Sequence, residues 1–542
     1  MDDDYLEGGC TSKAASLPLC LLDLDDDVLG LIAAHCWANG HAAGLIGACR
    51  RTRQVGMGAL TRLRLSCCDG WDRPERKDNE EGEAVAAFSG PHFRFLATCL
   101  PSLRSFLCCA TDVHEVWLSD GRACRAEAEH CRQPRAAKER VWRAAGVALR
   151  DTPLVSVSVF GLAAMAALTN SDGPPCNALR TLRLERMADE DTKQVQLRAL
   201  LQKAASSLEC LGMTGWSLKE TVGSIADIRP LSALRELSLG NEFDMHLFQV
   251  LGPSEATTIA AVCPRLTALR LCMRFGRGFG RAWAATRGRL EYLRTLHIHA
   301  LRDSPATLSS ELADLLAGRR LDELELTAFF FEFEDVVGAV LCCDRLPATL
   351  RIDPLNVPCF DFLRLCQDYR AAEDLAVLSL PKMNHPEVFL LGMGSLCQMR
   401  SLELAFDTRD MDVELLRSGI WVVPPRLRHL TVAVYSPLSA AGPGPPSALP
   451  LVAWMARCIA DSPCAATLLV LALHARVPPE QPLQDALSPL ASASMLRAVN
   501  VGVQPISNDG VGKQARLQNH LTALLPLAKV RVSAFIYRYS SS

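Results

Sequence analysis

Leu179-Arg180-Thr181-Leu182-Arg183-Leu184 is a phrase that returns along the chain at a nearly constant spacing. Its pattern is Leu-x-x-Leu-x-Leu, in which Ile, Val or Met replaces leucine in some copies and Pro opens one of them. Downstream of it, twelve further copies begin at Leu208, Leu234, Leu266, Leu293, Leu321, Pro347, Leu375, Met399, Leu427, Leu468, Leu496 and Leu527. The starts lie 24 to 32 residues apart, except for one interval of 41 residues after Leu427. A spacing of this kind predicts a repeat protein with one supersecondary unit per copy.

The second half of the phrase predicts a short β-strand. Successive side chains of a strand point to opposite faces, so Leu182 and Leu184 fall on one face and Arg183 on the other. The segments between phrases, such as 195–205 and 451–459, have the apolar spacing of helices. A strand followed by a helix, repeated many times, predicts a parallel sheet with the helices stacked on one side.

The phrase and its period resemble the leucine-rich repeats of the ribonuclease-inhibitor-like and F-box-associated kinds. Cys263-Pro264-Arg265-Leu266 is similar to the start of a repeat in the second kind. This resemblance implies an α/β leucine-rich-repeat solenoid, with parallel strands on the concave face and helices on the convex face. We expect the array to cover residues 91–542. A stretch rich in Pro, Gly, Ser and Ala, residues 436–450, predicts an exposed loop inserted between two repeats.

The chain before the array divides into three segments by composition. Residues 1–16 form a polar tail, and residues 69–90 are expected to be a charged linker. Between them, residues 17–60 have helical apolar spacing behind the acidic run Asp25-Asp26-Asp27, and acidic residues favour a helix start.

Residues 17–60 resemble an F-box. The matching positions are Leu24, Asp26, Asp27, Val28, Leu29, Ile32, Leu45, Ala48, Cys49, Arg50 and Arg53. The family's usual Pro is Asp25 here, and its usual aromatic residue after the basic pair is Thr52.

The F-box resemblance implies a substrate-recognition adaptor of a cullin-based ubiquitin ligase. The segment would bind the ligase's adaptor subunit, and the repeats would bind the substrate protein. The implied contact residues are Leu22, Leu24, Val28, Leu29, Ile32, Leu45, Ile46 and Cys49. The alternative is a leucine-rich-repeat scaffold without a ligase role, in which residues 17–60 only cap the first repeat.

One position of each phrase predicts the partner-binding surface. The residue between the last two apolar positions should face away from the core on every strand. We take ten of these residues as candidates for the concave binding face: Arg183, Ser238, Arg270, His297, Glu325, Arg351, Ser379, Glu403, Thr431 and Asn500. They are polar and of mixed sign, as expected for a broad protein-binding surface rather than a pocket for one ligand.

Composition excludes several other classes of function. The net charge of −3 gives no overall field that would select a nucleic acid. The acidic start lacks the basic region of a secretory signal, and no apolar run reaches the ~20 residues that span a bilayer. The 22 cysteines are therefore expected to be reduced thiols in an intracellular protein of the cytoplasm or nucleus.

We expect no cofactor, no metal and no catalytic site. The cysteines and histidines between Cys108 and Cys131 lack the spacing of a zinc site, and no nucleophile-elbow or zinc-protease motif occurs. The glycine-rich stretch 275–281 lacks the third glycine of a dinucleotide fingerprint. It is expected to be a basic loop between repeats, with phosphate or RNA contact as the alternative.

Overall fold

The computed structural model describes much of the repeat array and little of the chain before it. The described residues are 62–66, 85–89, 115–119, parts of 139–185, 193–214, parts of 222–230, 231–240, 250–300, 305–328, 333–353, 376–383, 396–407, 423–435, 449–475, 481–503 and 510–534. The F-box-like segment 17–60, the tail 1–16 and residues 69–84 of the expected linker lie outside them. The chain divides into two compact units, residues 1–208 and residues 209–542.

The first unit contains a parallel sheet of five strands. These are β1 Arg62–Ser66, β2 Val85–Ser89, β3 Glu115–Ser119, β4 Ser156–Phe160 and β5 Thr181–Glu185. Strand β1 pairs with both β2 and β3, β3 pairs with β4, and β4 pairs with β5. The helices described there include α1 Ala166–Thr169, which follows a 3-10 turn at Ala163–Met165, and α2 Lys193–Ala204.

Strand β2 corrects the expected boundary of the charged linker. Residues 85–89 were assigned to the linker 69–90, but Val85-Ala86-Ala87-Phe88-Ser89 pairs in register with the whole of β1. Five residues without a charge directly follow the charged run, and these suit a strand. Among the described residues, the parallel sheet therefore includes β1 and β2, upstream of the expected start at residue 91.

The second unit contains a parallel sheet of twelve strands, one for each phrase from Leu208 onward. The strands are β6 Cys210–Met213, β7 Glu236–Leu239, β9 Ala268–Phe275, β10 Thr295–Ala300, β11 Glu323–Ala328, β12 Thr349–Asp353, β13 Val377–Met383, β14 Ser401–Asp407, β15 His429–Tyr435, β16 Val470–Ala475, β17 Ala498–Val503 and β18 Lys529–Ala534. Each pairs in parallel with the next. A two-residue strand, β8 Val250–Leu251, pairs with the end of β9.

Helices connect many of these strands. Those whose bounds the described residues define are α3 Pro253–Val262, α4 Phe279–Ala285, α5 Pro305–Leu316, α6 Phe333–Val340, α7 Leu449–Ala460, α8 Gln481–Leu487 and α9 Gly510–Leu524. Short 3-10 helices follow three of them, at Arg287–Arg289, Pro463–Ala466 and Ser488–Ser492. Helices α3 to α6 pack side by side in chain order. This alternation of strand and helix is the predicted α/β leucine-rich-repeat architecture.

The inserted loop ends two residues before its predicted C-terminal boundary. Leu449 and Pro450 fall in the range 436–450 that composition assigned to the loop, but they form the first turn of α7. Proline is tolerated in the first turn of a helix, where its missing N–H leaves no bond unmade. The remaining loop residues, 436–448, lie outside the described residues.

The leucines of the phrases form the core. Leu182 and Leu184 are fully buried in the first unit, and Leu296, Leu324 and Leu350 are fully buried on neighbouring strands of the second. Since their register is continuous from strand to strand, the leucines stack in rows through the core. Each fully buried leucine contributes roughly 1.5–3 kcal/mol of transfer free energy.

An aromatic cluster fills the core around α4. The Phe279 and Trp283 rings stack with centroids 5.9 Å apart, and Phe275 meets Phe279 edge-on at 5.6 Å. The guanidinium of Arg319 lies 5.5 Å from the Trp283 ring centroid and donates a 2.9 Å hydrogen bond to the Trp283 carbonyl. Burial, together with the nearby positive charge of Arg287, lowers the pKa of Arg319 to about 10. Aromatic stacking with the guanidinium explains how this cation fits into the core.

Candidate interaction surface

A continuous column of residues, most of them polar, runs across the open face of the second unit. We name it the central column; it contains the middle residue of each phrase, in register from strand to strand. Its members are Gly212, Ser238, Arg270, His297, Glu325, Arg351, Ser379, Glu403, Thr431, Ala472, Asn500 and Arg531. Neighbouring strands lie about 4.8 Å apart, so twelve strands give a long row of closely spaced side chains.

The central column includes nine of the ten residues predicted for the concave face. Arg183, the tenth, belongs to the first unit, where its strand partner is Ser158. The predicted register is therefore present in both units. That these residues bind a partner stays a prediction.

Exposure varies along the central column. Arg270 and Glu403 are exposed, whereas His297, Glu325 and Arg351 are half-buried. Ala472 is almost fully buried, so the open face is not uniformly polar. Arg531, at the end of the column, is exposed too, so the most accessible charges are Arg270, Glu403 and Arg531.

A cluster of charged groups lies at the middle of this face. We name His297, Glu323 and Glu325 the His-Glu-Glu trio. His297 Nε2 lies 3.5 Å from Glu323 Oε1, and His297 Nδ1 lies 3.6 Å from Glu325 Oε2. Arg351 approaches the trio on the next strand, with its Nε 4.0 Å from Glu323 Oε1. Its Nη1 lies 3.9 Å from Glu403 Oε2, so one guanidinium lies between two carboxylates.

Glu323 is the member of this cluster that the sequence analysis missed. It opens strand β11 two residues before Glu325 and pairs with Thr295 and Thr349 on the adjacent strands. Side chains two residues apart on a strand share a face, so Glu323 faces the same side of the sheet as Glu325. The signal was present in the sequence, but only one position of each phrase was considered.

A second histidine lies near the same face. His474 is on β16, two residues after Ala472 of the central column. Burial lowers the pKa of its imidazole, and the negative charge of Glu403 opposes that shift. The environment therefore favours the neutral form of His474.

The glycine-rich stretch is occupied by a carboxylate from the following repeat. Glu311, a buried residue of α5, accepts hydrogen bonds from the backbone N–H groups of Gly278 at 2.5 Å and Gly280 at 2.6 Å. These N–H groups open helix α4, the place where a helix attracts an anion. Because the carboxylate of Glu311 already fills it, the alternative of phosphate or RNA contact at these two N–H groups is not supported.

Several predicted sites cannot be placed. The eight implied adaptor-binding residues, Leu22, Leu24, Val28, Leu29, Ile32, Leu45, Ile46 and Cys49, lie outside the described residues. The cysteines and histidines between Cys108 and Cys131 lie outside them too. Within the part of the chain that the structure describes, no helix has the length and apolar character needed to cross a bilayer.

Comparison with known proteins returns similarity in structure only. No protein-family profile matches the chain, and no curated protein matches it significantly in sequence. Among solved structures, it is similar to the leucine-rich repeat-containing protein LegL7 from Legionella pneumophila, with 12% identity and a TM-score of 0.29, over 59% of this chain and 90% of that one.

Two further solved structures are similar over larger parts of this chain. One is the complex of Rad7 and Elc1 in yeast, with 12% identity and a TM-score of 0.36, over 63% of this chain and 84% of that one. The other is the complex of TLR13 with ssRNA13, with 12% identity and a TM-score of 0.32, over 79% of this chain and 60% of that one. The chain's own repeat period and strand register are what assign it to the leucine-rich-repeat fold class.

Proposed function

We propose that the chain is a protein-binding adaptor that presents a substrate protein to a cullin-based ubiquitin ligase. The open face of the repeats binds the substrate, and residues 17–60 bind the ligase's adaptor subunit. The assembly would operate inside the cell, in the cytoplasm or nucleus.

The observation that carries the substrate-binding half is the central column. Twelve strands hold it in register, so its side chains are positioned by a rigid sheet rather than by loops. Extended solenoids use such surfaces to bind proteins. Its charges are of both signs, with Arg270 and Glu403 exposed, which suits a partner with a complementary pattern of charge.

The ligase-binding half rests on the resemblance of residues 17–60 to an F-box. Eight of its residues form the implied apolar contact, among them Leu29 and Ile32. Burying one such side chain contributes roughly 1.5–3 kcal/mol, so a carboxylate in its place should abolish binding.

Co-purification of the full chain with the adaptor subunit of a cullin-based ligase tests the first contact. Leu29→Asp and Ile32→Asp should each remove the adaptor subunit from the purified complex. Thr52→Asp adds the same charge outside the eight predicted contact residues and should keep it. Survival of the complex in both apolar-face variants would overturn the assignment.

Partner proteomics on the same chain tests the second contact. Arg270→Ala combined with Glu403→Ala should lose proteins that the unaltered chain captures. Arg457→Ala, an exposed change on helix α7, should retain them. An identical set of captured proteins in all three would contradict a substrate-binding role for the central column.

Deletion of residues 17–60 separates the adaptor from a scaffold without a ligase role. An F-box deletion should leave a soluble array that keeps its substrate and loses the ligase. If residues 17–60 are only a cap, their deletion should expose the repeat core and cause aggregation.

A further inference from the structure

The His-Glu-Glu trio has the composition and spacing of a metal site. His297 comes from β10, and Glu323 and Glu325 come from β11, so two adjacent strands of the sheet hold all three side chains. One ligand atom from each residue can be chosen so that all three lie within 4.8 Å of one another. Imidazole and carboxylate together are ligands that zinc accepts.

The distances within the trio are too long for hydrogen bonds. Both nitrogen-to-oxygen distances, 3.5 Å and 3.6 Å, exceed the 2.7–3.2 Å range of an N–H···O bond. His297 Nε2 is moreover shielded from solvent and has no hydrogen-bond partner among the described residues. A buried nitrogen without a partner is costly, so the apo arrangement leaves one polar atom unsatisfied.

The distance between His297 Nε2 and Glu323 suits two ligands of one ion. Zinc binds histidine nitrogen at 2.0–2.1 Å and carboxylate oxygen at 2.0–2.2 Å, so two such ligands at a tetrahedral angle are about 3.3–3.5 Å apart. The distance between His297 Nε2 and Glu323 Oε1 is 3.5 Å. Glu325 is the third residue of the set, in which one ligand atom of each member lies within 4.8 Å of the others.

Two carboxylates supply the negative charge of the trio. Glu323 and Glu325 each carry one charge, and Arg351 approaches Glu323 from the next strand. Arg270 is the partner of His297 on the other neighbouring strand and brings a second positive charge to this part of the sheet. The side chains of His297, Glu323 and Glu325 are 24%, 34% and 30% exposed, so water screens them only in part. Binding of an ion would therefore depend on its bonds to the three ligand atoms rather than on an excess of negative charge.

We propose that His297, Glu323 and Glu325 bind a divalent transition-metal ion, with Zn²⁺ as the representative ligand. Three protein ligands leave the fourth position of a tetrahedral ion to water or to a side chain of a bound partner. The site lies on the open face but does not depend on the proposed ligase role. It departs from the expectation, drawn from the sequence, that the chain has no metal site.

Replacement of Arg351 distinguishes a metal site from a network of ion pairs without a metal. Its guanidinium competes with the ion for Glu323 and is 43% exposed, so it can turn toward Glu403 when the ion binds. Arg351→Ala should therefore tighten zinc binding. If His297 and the glutamates serve only as ion pairs, this change would not create or improve a zinc site.

The test is zinc titration of the full reduced chain against a competing chromophoric chelator. His297→Ala and Glu325→Gln should each lower the zinc affinity of one binding site at least about tenfold. Removing a residue that only supports a metal ligand already costs about 10–100-fold in metal affinity. His429→Ala, which removes a histidine from the start of β15 on the same sheet, is the matched control and should leave that affinity unchanged. Equal binding by His297→Ala, Glu325→Gln and the unaltered chain would overturn the proposal.

The thiols of the chain require a second readout. Cysteine also binds zinc, and the chain has 22 cysteines. Co²⁺ bound to the trio should show visible bands that disappear in His297→Ala, without the sulfur-to-metal charge-transfer absorption of a thiolate ligand. Thiolate absorption at the site that His297→Ala removes would contradict the assigned ligands. An unchanged thermal unfolding curve for His297→Ala would exclude misfolding as the cause of lost binding.

Discussion

Glu311, on helix α5, caps the N-terminus of helix α4 in the preceding repeat. It is buried, and its two oxygens accept hydrogen bonds from the backbone N–H groups of Gly278 and Gly280. Glu311→Ala would leave both N–H groups without these acceptors. Because hydrogen bonds to a charged group are worth roughly 1.5–3 kcal/mol each, we expect the loss of both to lower the unfolding free energy by about 3–6 kcal/mol.

Chemical denaturation followed by the fluorescence of the tryptophans measures this loss. Asp314→Ala is the control, because Asp314 lies on the same helix and is exposed, and we expect it to change stability by no more than about 0.5 kcal/mol. Equal effects of the two changes would mean that the hydrogen bonds of Glu311 do not stabilise the fold.

At the scale of residues, local patterns were readable in the sequence and distant contacts were not. His297 and Glu325 were predicted to face outward because strand alternation is local. The same alternation predicts that Glu323 faces outward, but the prediction considered one position in each phrase and overlooked it. The contact between Glu311 and Gly278 joins residues 33 positions apart, and no pattern around either residue signals it.

Helices α4 and α5 approach each other closely at Gly280. A Cβ atom at Gly280 would collide with the backbone carbonyl of Glu311 on α5. Gly280→Ala must therefore push the two helices apart, which we expect to destabilise the second unit by about 1–3 kcal/mol despite alanine's better helix propensity.

Gly338→Ala is the matched control for helix spacing. Gly338 lies in helix α6, and a Cβ there would meet no atom within 4 Å. It should stabilise by roughly 0.5–1 kcal/mol through helix propensity alone. Thermal unfolding of both variants should give shifts of opposite sign; shifts of the same sign would show that the helices tolerate wider spacing at Gly280.

At the scale of elements, the phrases predicted the strands well. In each of the thirteen phrases, a strand begins at the third position. Strand β1 was missed although Leu60-Thr61-Arg62-Leu63-Arg64-Leu65 carries the phrase. Strands β2 and β8 were missed because Val85–Ser89 lacks a leucine phrase and Val250–Leu251 is too short for any period to be seen. Helix α7 begins at Leu449, two residues before the predicted end of the loop was passed. The prediction placed this start too late because it took Pro450 as part of the loop.

The whole second unit should behave as a one-dimensional array, in which each repeat is stabilised by its neighbours. Leu402 of β14 is buried between Leu378 of β13 and Leu430 of β15. We expect Leu402→Ala to cost about 2–5 kcal/mol. Hydrogen exchange should then speed up in β13, β14 and β15 and change little in β9 and β10.

Glu403→Gln provides the comparison for this experiment. Glu403 is next to Leu402 but points to the open face, so its replacement should leave the exchange rates of all these strands nearly unchanged. Faster exchange throughout the second unit of Leu402→Ala would indicate that the unit opens as one cooperative body instead of repeat by repeat.

The Glu311 contact also limits how these repeats can be exchanged. Repeat proteins are often treated as rows of modules that can be shuffled, deleted or grafted one at a time. Here helix α4 depends on a carboxylate carried by helix α5, so a cut between them would remove the anion from the helix start. Recombination, in evolution or in the laboratory, should therefore keep residues 278–311 together as a single inherited block.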